Sequence, residues 1–424
     1  MPGKLYSWKF IFGFLKAKTT RQTAVLYLSR IAAMFLGMFA TLIVTRKLGP
    51  EQYGIYAFIL SLTAFISLFF EFGYFTAGAR LLAISRDKAE EKELIGALVL
   101  ITLAISLSFF LMIFIFSFFV NGIFKTTAGN ILRGVSVLAA VLPFQYMIQQ
   151  ASKGTNEINK NALISAVPKI WTLAGVLFLL KFSLLSAFSA VVVDFSGISA
   201  ITLYVIYALK PRFSNLAQTV KLIHKENKEY GFYIYMGRTI NSSAGQLDTV
   251  LISYFIDTTS MGFYNLAKLM TMPMILYSES IATSLFKNFS EKERIPAKVN
   301  AANAAWLLIC VTGLALLGRP VLVMLFTNKY IESVPFILPL AAASFFRGMF
   351  QPYAVFLSVK KKGQWARQIL ISNAVVIIVL NLVLIPRFRA MGAAVAGVIS
   401  SVFVYVLYLF YYSKYVKETG ADNR

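Results

Sequence analysis

Long apolar runs separated by short polar stretches follow one another along the chain. Twelve of these runs are long enough to cross a hydrocarbon core of roughly 30 Å as helices. One break, RKLGPEQYGIY over residues 46–56, predicts a bend in which Gly49 ends one span and Pro50 begins the next. The predicted spans fall near residues 23–45, 52–75, 94–120, 132–152, 161–180, 184–208, 230–255, 260–286, 300–318, 333–356, 366–386 and 390–412.

Composition supports a membrane protein. Of the 424 residues, 58% are hydrophobic and only 14% are charged, whereas soluble domains carry about a quarter charged residues. A single cysteine and a single histidine exclude a metal or redox centre built on these side chains, and no nucleophile-and-base arrangement suggests an enzyme. The predicted fold class is therefore an all-α polytopic membrane protein without a resident cofactor.

The net charge of +23 is explained by its location and does not call for nucleic acid. The two termini and the loops on their side carry about three times as many Lys and Arg residues as the other loops, so the positive-inside rule places both termini in the cytoplasm. Residues 1–22 mix aromatic and basic side chains. They predict an amphipathic helix that lies on the membrane surface.

The two halves of the chain resemble each other at an offset of 208 residues. Arg, Gly, Thr and Tyr positions coincide, at Arg30 and Arg238, Gly37 and Gly245, Thr41 and Thr249, Gly54 and Gly262, and Tyr56 and Tyr264. Two six-span repeats around a central cavity are typical of transporters. We therefore predict an N-lobe over 23–208, a basic linker over 209–229, a C-lobe over 230–412 and a cytoplasmic tail over 413–424.

Five basic residues lie within predicted spans: Arg30, Lys169, Arg238, Lys268 and Arg347. A cation at mid-bilayer costs about 2.5 to 3.5 kcal/mol on insertion scales. Two interpretations stay open: the side chains snorkel to the interface, or they line a cavity for anionic cargo. Arg347 lies nearest the midplane, where escape to the interface is hardest.

Polar and acidic residues accompany these cations. The seventh span carries a polar face that is either a cavity wall or a contact between helices, at Asn241, Ser242, Gln246 and Thr249. Four acids are candidates for coupling to H⁺ or Na⁺: Glu71, Asp194, Asp248 and Glu279. Glu71, Asp248 and Glu279 lie near span ends, which favours residence at the interface. Asp194 lies deeper, where it either pairs with a cation or binds the coupling ion.

Four stretches resemble a known family. They are RKLGPEQYGIYAF (46–58), FGYFTAGAR (72–80), LDTVLISYFIDTTSMGFYNLAKLM (247–270) and RAMGAAVAGVISSVFVYVLY (389–408). Together with the twelve-span repeat, they resemble the polysaccharide transporter family, the O-antigen and repeat-unit flippases of bacteria. This family belongs to the multidrug, oligosaccharidyl-lipid and polysaccharide exporter superfamily.

The resemblance implies a substrate and a location. The expected cargo is an oligosaccharide repeat unit on undecaprenyl pyrophosphate, moved from the cytoplasmic to the outer leaflet of the bacterial inner membrane for O-antigen, capsule or exopolysaccharide synthesis. Membrane lipids, a polymerase and other glycan-assembly proteins are the implied partners. Coupling to an ion gradient is also implied, and the five intramembrane cations are expected to line the cavity.

Four other functions remain as alternatives. A multidrug extruder of the same superfamily would need an acidic cavity for cationic drugs, and a lipid II flippase would carry further arginines in its early spans. A transporter of the major facilitator type would show a G-x-x-x-D-R-x-G-R-R pattern after the second span, where this chain has RLLAISRDKAEEKELIG. A scaffold role would leave the buried cations unexplained.

Overall fold

The computed structural model describes residues 18–85, 87–155, 157–285, 289, 292–360 and 362–419. Throughout these ranges the regular structure is helical. Most of the predicted interfacial segment 1–22 lies outside the described residues, as does the end of the tail. The all-helical class predicted from the sequence is confirmed.

The helices of the first half of the chain, here the N-half, are α1 (Lys18–Ser67), α2 (Tyr74–Ile84), α3 (Lys88–Phe124), α4 (Ala128–Ala139), α5 (Leu142–Gly154), α6 (Ile158–Lys181) and α7 (Ala187–Leu209). A connecting helix α8 (Leu216–Glu226) and a π-helix (Asn227–Gly231) follow. The helices of the C-half are α9 (Phe232–Ala244), α10 (Leu247–Phe255), α11 (Thr258–Ser284), α12 (Ala297–Phe326), α13 (Val334–Val359) and α14 (Gly363–Glu418), with a 3₁₀ helix (Asn328–Ser333) before α13.

Eight helical segments in the described part are long and apolar enough to cross a membrane. Two of them, within α1 and α14, are pairs of helices divided by one residue with non-helical backbone, Gly49 and Arg389 respectively. The structure thus supports a multi-pass membrane protein. The count of twelve spans and the placement of the termini remain predictions.

The bend predicted at RKLGPEQYGIY is present. Gly49 has φ 78° and ψ 173°, a region that only glycine occupies without strain. Pro50 then starts the second part of α1, where its fixed φ suits the first turn and its missing N–H is not needed. The Gly49 conformation is extended rather than left-handed helical, so the chain turns sharply between the two spans. We call this end of the helix bundle the Gly49 end, and the opposite end the Gly73 end.

Two predicted spans are interrupted. The span predicted over 132–152 consists of α4 and α5, which meet at Ala140, just before Pro143 in the first turn of α5. The span predicted over 230–255 consists of α9 and α10, with a break at Gly245 and Gln246. Apolar periodicity does not reveal such breaks because apolar residues continue on both sides of each of them.

Large apolar side chains cover the outer faces of the bundle. On α3, Leu103, Leu107 and Ile115 are each more than half exposed, whereas Phe109 and Ile113 on the opposite face are fully buried. In water such an exposed stripe would be unfavourable, but against lipid it is the expected surface. The bundle is therefore apolar on the outside, and its polar groups gather between helices.

The two halves pack tightly at the Gly49 end. A Cβ atom at Gly54 would lie 2.5 Å from the carbonyl oxygen of Thr258, and one at Gly262 would lie 3.0 Å from the Gly54 Cα. Gly54 and Gly262 are repeat-related, so the same small residue in each half permits this close approach. Beside them the Tyr330 hydroxyl donates to the Thr45 carbonyl at 2.9 Å. These contacts close the space between the halves at this end.

At the Gly73 end, the connecting segment packs against the N-half. The Asn227 side-chain amide donates to the Phe72 carbonyl at 3.0 Å, and the Tyr235 hydroxyl donates to the Phe69 carbonyl at 2.9 Å. Gly73 has φ 82°, and a Cβ there would lie 2.4 Å from Asn227 Oδ1. The start of α9 is thereby attached to the turn between α1 and α2.

Candidate functional site

A buried aspartate in the N-half has three partners from two other helices. Asp194 of α7 is 4% exposed. It accepts hydrogen bonds from the Tyr56 hydroxyl at 2.5 Å and from the Thr172 hydroxyl at 2.8 Å. The Lys169 ammonium lies 3.9 Å from the same carboxylate. Thr172 and Lys169 share one face of α6 at i, i+3 spacing, so a single helix face supplies both.

A second aspartate in the C-half has the same kinds of partner. Asp248 of α10 accepts from the Tyr264 hydroxyl at 2.8 Å and from the Lys268 ammonium at 3.0 Å. The backbone N–H of Thr249 also donates to it, at 2.8 Å. Tyr264 and Lys268 are four residues apart on α11, one helical turn, and therefore point the same way.

The two Asp–Tyr–Lys clusters are related through their tyrosines. Tyr56 and Tyr264 occupy equivalent positions at the offset of 208 residues, whereas the acids come from helices that are not equivalent, α7 and α10. The internal repeat identifies the two tyrosines but gives no sign of their role. Their identity in both repeats was the signal that could have identified them, because a tyrosine is expensive to bury without a partner for its hydroxyl.

A cavity of about 660 Å³ lies between the halves. We call it the central cavity. It is bounded by both parts of α1, by α6 and by α11, and it lies on the Gly73 side of Tyr53 and Tyr56. Its charged lining residues in the described part are Lys169, Lys268 and Glu279. Gly37 also lines it, and a Cβ there would lie in van der Waals contact with the Lys169 side chain, at 3.6 Å.

Each half also contains a smaller side cavity. The one in the N-half, about 300 Å³, is lined by Asp194, Gln145 and Tyr146 among others. The one in the C-half, about 130 Å³, is lined by Asp248 and Arg347 among others. Lys169 lines both the N-half side cavity and the central cavity, and Lys268 does the same in the C-half. Each lysine therefore lies between the central cavity and the side cavity that its partner aspartate lines.

Other cations predicted for the cavity lie elsewhere. Arg238 forms an ion pair with the buried carboxylate of Glu71, which also accepts from the Thr76 hydroxyl at 3.0 Å. This pair lies at the Gly73 end and joins the two halves. Arg347 faces the C-half side cavity and donates from Nε to the Ser401 hydroxyl at 3.3 Å. The side chain of Arg30 lies outside the described residues.

The described members of the polar face predicted for the seventh span lie apart from the three cavities. The Thr249 hydroxyl is buried and donates to the Gln246 carbonyl at 2.8 Å, within its own helix. Ser242 is half-buried on α9. None of Ser242, Gln246 and Thr249 is among the residues that line these cavities, and the side chain of Asn241 is not described.

The charge that the central cavity offers depends on Glu279 and on the state of the two lysine–aspartate pairs. With both pairs formed, Asp194 and Asp248 neutralise the two lysines from the side cavities. Arginine and lysine groups that are not so held attract phosphate strongly. Among the described residues, no group of three or more His, Cys, Asp or Glu side chains has the arrangement of a metal site.

The fold is that of the transporters of the MOP superfamily. The chain superposes on a lipid II flippase MurJ in an inward closed conformation with a TM-score of 0.71 at 15% identity, over 92% of this chain and 87% of that chain. It also superposes on an inward-facing multidrug resistance MATE transporter with a TM-score of 0.69 at 13% identity, over 92% of this chain and 99% of that one. At these identities the likeness concerns the fold alone.

The chain belongs to the family described as polysaccharide biosynthesis protein, whose pattern matches residues 19–293. The resemblance seen in the sequence is thereby confirmed. Teichuronic acid biosynthesis protein TuaB of Bacillus subtilis is 23% identical over 319 residues, covering 72% of this chain and 63% of TuaB. A probable low-salt glycan biosynthesis flippase, Agl15 of Haloferax volcanii, is 22% identical over 409 residues, covering 93% of this chain and 84% of Agl15.

Proposed function

We propose that this protein is a flippase for lipid-linked oligosaccharides. Its cargo is a glycan repeat unit on undecaprenyl pyrophosphate, and it moves this cargo from the cytoplasmic to the outer leaflet of a bacterial inner membrane. The observation that carries the proposal is the central cavity between the two halves, with one lysine from each half at its wall. The family membership and the flippase among the relatives support the same role.

The pyrophosphate is the part of the cargo that the two lysines suit. Ammonium groups bind phosphate as point charges, and Lys169 and Lys268 approach the cavity from α6 and α11, on opposite halves. One anionic group held by both would link the halves during the transport cycle. The glycan would occupy the rest of the cavity, while the polyprenyl chain stays in lipid and passes between helices.

Transport by alternating access requires the contacts at the two ends to open in turn. In the present structure the Gly49 end is closed by Gly54, Gly262 and Tyr330. Movement to the outward-open state would separate these residues while the Gly73 end stays closed. The ion pair between Glu71 and Arg238 and the hydrogen bond from Asn227 to Phe72 hold the Gly73 end in this structure, so they are the contacts that would break when that end opens.

Export of cationic drugs is the second candidate. The specific observation in its favour is the aspartate that lines a side cavity in each half, because acids near a cavity attract cations. In this chain, however, each aspartate already has a lysine between it and the central cavity. The anionic cargo therefore fits the described residues better. A lipid II flippase would share the same anion and is distinguished only by the glycan.

A reconstituted flipping assay tests the proposal. Proteoliposomes would contain a polyprenyl pyrophosphate with an NBD-labelled sugar, and dithionite would bleach the label in the outer leaflet. Replacing both lysines, as Lys169→Gln with Lys268→Gln, should slow flipping about tenfold or more, because two charge-assisted phosphate contacts are lost.

Lys88→Gln is the matched control, since Lys88 forms an exposed ion pair with Glu91 away from the cavity. It should flip the probe at the wild-type rate. If the double variant flipped as fast as wild type at equal protein content, the proposed site would be wrong. If the wild type accelerated only cationic dyes and not the pyrophosphate probe, drug export would replace the proposal.

A further inference from the structure

Each cavity lysine is bound to an internal carboxylate, and these carboxylates are well held without it. Asp194 keeps the Tyr56 and Thr172 hydroxyls as donors. Asp248 keeps the Tyr264 hydroxyl and the Thr249 backbone N–H. A buried carboxylate that loses a lysine but keeps two donors avoids much of the penalty of an unpaired charge. The lysines are thus the exchangeable members of both clusters.

We infer that Asp194 and Asp248 are internal competitors for the anionic cargo: the pyrophosphate binds by drawing Lys169 and Lys268 away from them, and the aspartates recover the lysines when the cargo leaves. The inference rests on the proposed function and adds to it that Asp194 and Asp248 set the affinity for the anionic cargo. The binding energy of the anion is reduced by the ion pairs that it breaks. A transporter benefits from such a limit, because cargo that is bound too tightly would not be released on the other side.

The two pairs are not equally strong. Lys268 lies 3.0 Å from its acid and its side chain is 27% exposed, whereas Lys169 lies 3.9 Å from its acid and is 44% exposed. Coulomb attraction falls with distance and with access to water. Lys169 is therefore the lysine that an anion recruits first, and Asp248 is the stronger competitor.

The test measures anion binding in single-residue variants. The purified protein is placed in nanodiscs of neutral phosphatidylcholine and titrated with inorganic pyrophosphate by calorimetry. Asp248→Asn should tighten binding about fivefold, because Lys268 no longer has an anionic partner, and Asp194→Asn should tighten it by about twofold or less. Lys268→Gln should weaken binding. Replacing the acid and replacing the lysine of one pair should thus change the affinity for pyrophosphate in opposite directions.

A second variant keeps the test decisive if Asp248→Asn does not fold. Tyr264→Phe removes a donor from the Asp248 carboxylate, so that this acid depends more on Lys268. Pyrophosphate should then bind about twofold more weakly, although Tyr264 lines the side cavity and not the central one. Glu91→Gln is the matched control, because it neutralises the acid of the exposed pair with Lys88, and it should leave binding unchanged.

The outcomes separate the inference from the proposed function. Weaker binding by Asp248→Asn, of the same size as in Lys268→Gln, would mean that the acid only positions the lysine and would overturn the inference. Equal affinity in wild type and Asp248→Asn, or binding in neither, would overturn it as well. The proposed function is judged separately by flipping of the NBD probe, which does not depend on how the acids affect affinity.

Discussion

At the scale of single residues, the chemistry of the site lies in how buried carboxylates are satisfied. Asp194 receives two hydroxyl donors and a nearby ammonium, and Asp248 receives one hydroxyl, one backbone N–H and one ammonium. Hydrogen bonds to a charged acceptor are stronger than those between neutral groups. These clusters therefore both stabilise the helix packing and place a lysine at the cavity wall.

Replacement of Asp194 tests this structural part. Asp194→Ala leaves the Tyr56 and Thr172 hydroxyls buried without an acceptor, which should cost about 2 kcal/mol or more. Asp194→Asn keeps an acceptor oxygen in the same place and serves as the control. We expect the apparent melting temperature of the detergent-solubilised protein to fall by several degrees in Asp194→Ala and much less in Asp194→Asn. Equal melting of the two variants would contradict the hydrogen-bond network.

At the scale of elements, the packing of α1 against α11 closes the Gly49 end. The contact depends on glycine in both helices, since a Cβ at Gly54 would lie 2.5 Å from the Thr258 carbonyl oxygen and one at Gly262 would lie 3.0 Å from Gly54 Cα. Backbone atoms cannot yield as a flexible side chain can. The closure is therefore sensitive to the addition of single methyl groups.

Gly54→Val should hold the Gly49 end open. The background is Ser61→Cys with Cys310→Ser, which puts a single thiol on the wall of the central cavity. In the predicted orientation the Gly49 end faces the outside, so an impermeant maleimide added to spheroplasts should label this thiol several times faster in Gly54→Val. Gly122→Val is the control, because a Cβ at Gly122 meets nothing within 4 Å. Similar labelling in both variants would argue against a gate at Gly54.

At the scale of the whole molecule, the two halves are joined at both ends around a polar centre. Arg46 donates from Nε to the Leu325 carbonyl at 2.7 Å at the Gly49 end, and Glu71 pairs with Arg238 at the Gly73 end. Contacts at both ends with a cavity between them suit a molecule that opens one end at a time. The side cavities extend the polar space into each half.

Linking the halves at the Gly49 end should stop transport. Arg46→Cys with Leu325→Cys, in the Cys310→Ser background, places two thiols at a contact that would separate in the proposed outward-open state. A short bis-methanethiosulfonate cross-linker should reduce flipping of the NBD probe to the protein-free level, and a reducing agent should restore it. Arg46→Cys alone, treated in the same way, controls for modification. Continued flipping by the cross-linked protein would mean that this end does not open.

Much of this architecture follows from the sequence. The apolar runs are long, so helices in a membrane are their only stable arrangement, and the matching Gly54 and Gly262 already indicated two related halves. The breaks at Ala140 and Gly245 could not be predicted, because tertiary packing decides where a long apolar helix bends. The family was recognised from motifs that lie mostly at turns, where backbone geometry restricts the choice of residue.

The sequence predicted the charged residues of the candidate site but not the contacts between them. Lys169, Lys268, Asp194 and Asp248 stood out because a charge inside an apolar run is costly in any fold. Which acid meets which lysine was not visible, since Asp194 reaches Tyr56 across 138 residues of chain. The sequence predicted an excess of cations in one cavity. It gave no sign that Arg238 would instead pair with Glu71 and that Arg347 would contact Ser401.

The sequence by itself determined that the chain is a helical membrane protein with charges inside its apolar runs, because hydropathy and the cost of intramembrane charge are local properties. The relation between the two halves remains a prediction from the sequence. Only the tertiary structure decided how those charges are used. Pairing depends on which helix faces meet, and the meeting of α6 with α7 and of α10 with α11 puts one lysine from each half between an aspartate and the central cavity.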